Sequence, residues 1–178
     1  MAELNPDYLP NPETEKAEPR VRTTENVNEA LADMEAAEDQ LGLLLNKYGW
    51  DADDELKTKM LLAFREALTN AIFHGNYGVG KVTSGDDISK LAQEKVNAEG
   101  AANLPVEVKV SFQVNNKVVE IIIQDFGQGF DVNNVADPIL QENILKTSGR
   151  GIHWMREFYD SVVFSGPRNQ IVTLKKTR

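Results

Sequence analysis

Cysteine is absent from the 178 residues. That excludes disulfides, thiol nucleophiles and thiolate metal sites, and it fits a reducing compartment at least as well as an oxidising one. Long apolar runs are absent too: no stretch approaches the roughly 18 to 20 continuous apolar residues that a membrane span needs. The opening MAELNPDYLP has no basic segment followed by an apolar one, so no signal peptide is expected there. Basic side chains are the minority, 19 Lys and Arg against 28 Asp and Glu, for a formal net charge of -9. Phosphate contacts need clustered Lys and Arg, so direct nucleic-acid binding is not expected. The charge suits solubility or a basic protein partner. Cytoplasmic location is the expectation, and no internal repeat is present.

What remains is enough for one domain with a sizeable core, and an apolar fraction of 41% is ordinary for a globular protein. Residues 1–20 hold Pro6, Pro10, Pro12 and Pro19 among acidic and small polar residues. Proline fixes φ and lacks an N–H, so this segment reads as an extended, disordered tail, with residues 21–178 as the domain. A short strand is expected around Val21–Thr23. From Asn26 to about Tyr48, Leu31, Met34, Leu41, Leu44 and Leu45 fit one helical face, with Asn26 or Asn28 as cap and Gly49 as stop. A second helix is expected from about Asp53 to His74, with Met60, Phe64, Ala67 and Ala71 as its stripe and Gly75, Gly78 and Gly80 ending it. Residues 81–103 read as an insertion with a short helix, Asp86–Asn97, and few apolar anchors, hence mobile. Alternating strands follow at Val106–Val114 and Val118–Gln124, joined by an Asn115–Asn116 turn. Then come a loop from Asp125 to about Ser148, a helix Gly151–Tyr159 and strands Ser161–Ser165 and Gln170–Lys175. Helices gathered on one face of a mixed, mainly antiparallel sheet make a two-layer α/β (α+β) sandwich.

Three groups of residues carry chemistry. Glu66, Asn70 and His74 stand at i, i+4 and i+8, on the border of the apolar stripe of the second helix. Polar groups there need partners: Glu66 suits a general base on a hydroxyl, and Asn70 offers a hard oxygen for magnesium. The plain alternative is a solvated helix flank. DFGQGFD, Asp125–Asp131, follows an apolar strand. Its glycines let backbone approach a ligand, and Asp125 suits an exocyclic amine; the alternative is an ordinary Asp-Gly turn. SGRGI, Ser148–Ile152, opens a helix, where backbone N–H groups, the helix dipole and Arg150 favour an anion; the alternative is a helix start capped by Ser148.

In this order the segments resemble the three nucleotide boxes of the GHKL (Bergerat-fold) ATPases. EALTNAIFHGN, Glu66–Asn76, resembles the N-box, DFGQGF the adenine box, and SGRGIHWMREFYD the glycine box that ends the ATP lid. The resemblance covers the chain from about Thr23 onward. It is nearest to the bacterial anti-sigma-factor serine/threonine kinases. No phosphorylated-histidine hairpin is expected before the domain and no transducer domain after it, and GRGI, Met155 and Phe158-Tyr159-Asp160 follow the pattern of that group.

The resemblance implies ATP and Mg²⁺ as cofactors. It implies Glu66 as general base, Asn70 as magnesium ligand and Asp125 as reader of the adenine amine. It places Gly127 and Gly129 in the turn under the nucleotide, and Gly149, Arg150 and Gly151 at the lid end around the phosphates. His74, Phe130 and Ile152, inside the same boxes, complete the implied cofactor-binding set. The implied partners are a sigma factor and an anti-sigma-factor antagonist protein, with homodimerisation common among relatives. Two other functions fit the same boxes: a non-enzymatic ATP-dependent binding module, and a detached histidine-kinase-like catalytic domain. Two departures bear on the pocket. Asn169 and Gln170, after Arg168, stand where many relatives have Gly-Thr, and residues 81–103 are longer than the usual link.

Overall fold

The computed structural model describes residues 14–80, 82, 85–129 and 150–178. Helix α1, Val27–Lys47, starts at Asn26, whose side chain accepts from the Asn28 N–H at 3.1 Å. That bond satisfies one of the orphan donors of the first turn. The expected apolar face is the observed one: Met34, Leu41, Leu44 and Leu45 are buried and Leu31 packs against them. Gly49 ends the segment in the left-handed region, φ 75°.

Helix α2, Asp54–Thr69, is capped by Asp53, which accepts from Leu56 N at 2.9 Å. Met60, Phe64, Ala67 and Ala71 are all buried. Here the structure departs from the expected uninterrupted helix. The α-helical register stops at Thr69 and a π-helical turn, Asn70–Asn76, takes over. Helix α3, Ile88–Glu99, lies in the expected insertion and starts two residues later than expected, with Asp87 as cap. The segment is better anchored than its composition suggested. Ala92 and Val96 are buried and Ile88 and Leu91 pack on the core, so one face of α3 lies against the domain.

Among the described residues six strands form one sheet, and every pairing is antiparallel. Strands β3, Glu107–Val114, and β4, Val118–Gln124, are its centre. In the turn between them, the Asn115 carboxamide oxygen accepts from Lys117 N and Val118 N, both at 2.8 Å. Strand β6, Ile171–Thr177, pairs with β4, and β5, Ser161–Ser165, forms the outer edge. At the opposite edge β3 carries two short strands, β1, Glu15–Ala17, and β2, Arg20–Arg22. Residues 15–17 were expected in the tail and are instead paired with β3. Pro19 has no N–H to give to a ladder, which accounts for two short strands in place of one long one. Residues 1–13 of the expected tail lie outside the described residues.

Period-2 alternation sorts the sheet into two faces. Val108, Val110, Phe112, Val114, Val119, Ile121, Ile123, Val172 and Leu174 are buried beneath the helices. Phe64 of α2 meets Phe112 edge-on, centroids 5.5 Å apart at 72°. Helix α4, Arg150–Phe158, packs against α2, and the Tyr159 hydroxyl just beyond it donates to Met60 O at 3.1 Å. The result is the expected two-layer sandwich, an open antiparallel sheet with its helices on one face. No helix among the described residues is long and apolar enough to cross a membrane.

Candidate functional site

Glu66 sits on α2 one residue before buried Ala67, so its stem lies at the edge of the core and its carboxylate is half-buried. Burial pushes that carboxyl above the ordinary carboxylate range, while the charges of Arg65 and His74 pull it back. A raised carboxyl is the kind that serves as a base near neutral pH. Gly151, in the first turn of α4, packs directly on it: a Cβ there would lie 2.7 Å from Glu66 Oε2. The carboxylate therefore faces the positive end of the α4 dipole.

Asn70 follows one turn later, where the α-helical register ends. Its backbone N–H bonds to Glu66 O and Ala67 O, and its side chain is partly exposed. Among the described residues no hydrogen bond occupies the Glu66 carboxylate or the Asn70 carboxamide. The change to π-helical hydrogen bonding breaks the i, i+4, i+8 row on which His74 was expected to stack. The His74 ring is exposed, with Nδ1 2.8 Å from Val79 O. Single π turns inside helices are uncommon and concentrate at functional sites.

The π turn ends against the Asp125 loop, backbone on backbone. A Cβ on Gly75 would lie 2.7 Å from Asp125 Cγ, and one on Gly127 would lie 1.9 Å from Gly75 O. Gly75 is more than the expected helix stop, because the contact needs the missing side chain. Asp125 is buried, and one carboxylate oxygen accepts from Gly127 N at 3.0 Å. Burial pushes its carboxyl up, against the pull of the Gly127 N–H. Among the described residues no other residue donates to this carboxylate. Gly129 has φ 68°, and a Cβ on it would strike Arg168 O at 2.2 Å.

Two contributors were missed as site residues. Asn76, the last residue of the π turn, is buried and makes three hydrogen bonds. Its Nδ2 donates to Thr23 Oγ1 at 3.0 Å and to Glu107 O at 2.6 Å, and its Oδ1 accepts from Phe126 N at 2.8 Å. It ties the strand edge, the π turn and the Asp125 loop together; its place at the end of the N-box-like segment was the available signal. The second is Gln170, one of the two residues that depart from the Gly-Thr pattern. Its carbonyl accepts from Asp125 N at 3.0 Å and its Nε2 donates to Gly127 O at 2.5 Å.

The structure sets Gly151 on Glu66, and Gly75 on Asp125 and Gly127, with Asn70 between Glu66 and Gly75 where α2 passes into the π turn. Ile152, next to Gly151, is buried and belongs to the core. Arg150 begins α4, but its side chain lies outside the described residues, as do Phe130, Gly149 and the expected Ser148 cap. The cradle fits a nucleotide in its chemistry. An amine acceptor stands on a loop whose two glycines pack on neighbouring backbone, and a carboxylate and a carboxamide with no hydrogen-bond partner among the described residues stand a short distance along one helix. A magnesium ion held mainly by phosphates and water needs only one or two protein oxygens, which Asn70 is suited to begin. Residues 23–176 match the histidine kinase-like ATPase domain family. No curated protein matches the chain.

Proposed function

Since this chain belongs to the histidine kinase-like ATPase domain family, whose domains bind ATP, typically with Mg²⁺, we propose that it is a protein serine/threonine kinase of the anti-sigma-factor type. In this reading it phosphorylates an antagonist protein and sequesters a sigma factor in the cytoplasm, by partner switching. The observation that carries the enzymatic part is the pairing of a half-buried Glu66 with Asn70 four residues on, both without a hydrogen-bond partner among the described residues. An ATP-dependent binding module could use Asn70 for its magnesium but has no need of a base at Glu66.

Bound MgATP supplies the phosphoryl group and the metal charge that offsets the negative phosphates. The protein's part is positioning and electrostatics. Asp125 accepts a hydrogen bond from the adenine amine with the carboxylate oxygen that Gly127 leaves open. Gly127 and Gly129 let the loop pack on the backbone of Gly75 and Arg168, which fixes its course beside the base. Asn70 offers its carboxamide oxygen to the metal. Gly151 lies in the first turn of α4, where N–H groups and dipole favour anions, and the resemblance assigns it with Gly149 and Arg150 to the phosphates. Glu66 receives the proton of an incoming serine or threonine hydroxyl, or orients it.

The test is incubation with MgATP and a candidate antagonist, followed by acid treatment. Acid-stable phosphate on a serine or threonine is expected. Acid-labile phosphate would indicate a histidine phosphotransfer partner instead, and binding without transfer would indicate the module.

A further inference from the structure

The turn that leads into β6 is bent against its own preferences. Arg168 and Asn169 have φ 55° and 60°, the left-handed region that side-chain-bearing residues avoid. Two such residues in succession persist only where the surroundings hold them. Here the surroundings are the Asp125–Gly129 loop. Arg168 O fills the space beside Gly129, and Arg168 Nη1 donates to Gln128 Oε1 at 3.3 Å. The next residue, Gln170, grips the loop twice, through the Asp125 N–H and the Gly127 carbonyl. Gln124 pairs with Ile171 in the β4–β6 register, so Gln170 is the residue that meets Asp125 where both chains leave the sheet.

We propose that Gln170 is a positioning residue that sets the base selectivity of the nucleotide site; this rests on the ATP-binding reading above. Its side chain holds the Gly127 carbonyl. The peptide N–H of the same Gly127 holds one oxygen of Asp125, which leaves the other oxygen aimed for a base amine. Release of the Gly127 carbonyl lets the loop turn, and Asp125 with it. Adenine then loses its acceptor. Guanine presents a carbonyl at that position, which opposes the carboxylate, so it has no hydrogen bond to Asp125 to lose and does not weaken.

Calorimetry on the full chain with Mg²⁺ tests this, using ATP and GTP against wild type, Gln170→Met and Gln170→Glu. Methionine keeps the length without the donor; glutamate keeps the shape but sets an acceptor against an acceptor. Both keep the backbone bond from Asp125 N. ATP affinity is expected to fall about tenfold in each, with GTP affinity level or slightly raised and a cooperative thermal melt retained. If methionine disturbs folding, glutamate carries the same expectation alone. An ATP-to-GTP ratio that survives either substitution overturns the proposal, and so does an equal loss for both nucleotides. Wild-type protein that binds neither nucleotide overturns the ATP reading itself. Wild-type protein that binds both equally overturns base selection by Asp125 and the role of Gln170 with it, and leaves nucleotide binding itself standing.

Discussion

Gly151 lies against Glu66 so closely that a Cβ on the glycine would stand 2.7 Å from the carboxylate Oε2. The glycine is helical and needs no unusual φ, so its reason is space. Gly151→Ala therefore separates stability from function. Alanine is the better helix former by about 1 kcal/mol, and the displaced atoms are the far end of a flexible side chain. Thermal melting should show an unchanged or slightly raised midpoint. Phosphoryl transfer should fall by about tenfold to a hundredfold, since the base is moved by about an ångström. Wild-type transfer rates in Gly151→Ala would show that the position of the Glu66 carboxylate does not matter.

Gly127 and Gly78 make a contrasting pair. A Cβ on Gly127 meets the backbone oxygen of Gly75 at 1.9 Å, which no side-chain rotation relieves. Gly78 has φ 64° and nothing within 4 Å. Gly127→Ala should cost about 3 kcal/mol or more in urea unfolding. Gly78→Ala should cost only the left-handed penalty, about 1 kcal/mol. Equal costs would mean that the π turn and the Asp125 loop are not packed backbone to backbone.

Asp125 carries a charge that folding disfavours. Its folded-state carboxyl is raised by burial, so between its unfolded and folded values the native state holds more protons than the unfolded one. Stability therefore falls as pH rises through that window. Asp125→Asn removes the cost: the variant should be more stable than wild type at neutral pH, and the gain should shrink as pH falls through the carboxylate range. ATP binding should weaken about tenfold to a hundredfold, because the amide oxygen is taken by Gly127 N–H and its NH₂ opposes the adenine amine. Urea melts across pH, beside calorimetry, check both halves. A destabilised Asp125→Asn protein at neutral pH contradicts the burial argument.

Much of this arrangement is readable from residue order. Asn26 before an apolar stripe marks α1, and the alternation from Val108 to Val114 marks a strand with one buried face. The three glycine-bearing boxes point to one site. Other features depend on contacts far apart in the chain. Nothing local to Glu15–Ala17 marks a strand; it becomes one because β3 has a free edge. The π turn at Asn70 follows an α-helical pattern that gives no warning of it, and its consequence is that His74 leaves the row. The grip of Gln170 on Gly127 spans 43 residues. Composition alone hides the anchoring of the insertion, whose Ile88, Leu91, Ala92 and Val96 have helical spacing and pack on the domain.

That last point gives a measurable outcome. Amides in the Ala92–Val96 region of α3 should exchange slowly in the free protein, since that turn is buried against the domain. Fast exchange along the whole helix would restore the picture of a loose insertion.

The central claim is that Glu66 serves the chemistry and other groups hold the nucleotide, and Glu66→Gln puts it to the test. The swap keeps the shape and removes the base. Single-turnover phosphorylation of an antagonist protein should fall by about two to four orders of magnitude. ATP affinity, measured on the same preparation, should stay level or tighten slightly, because a negative charge near the phosphates is gone. Asn70→Ala is the comparison: loss of its oxygen should weaken binding and transfer together. Full transfer activity in Glu66→Gln, with ATP still bound, would contradict the account and leave the domain as a nucleotide-dependent binding module.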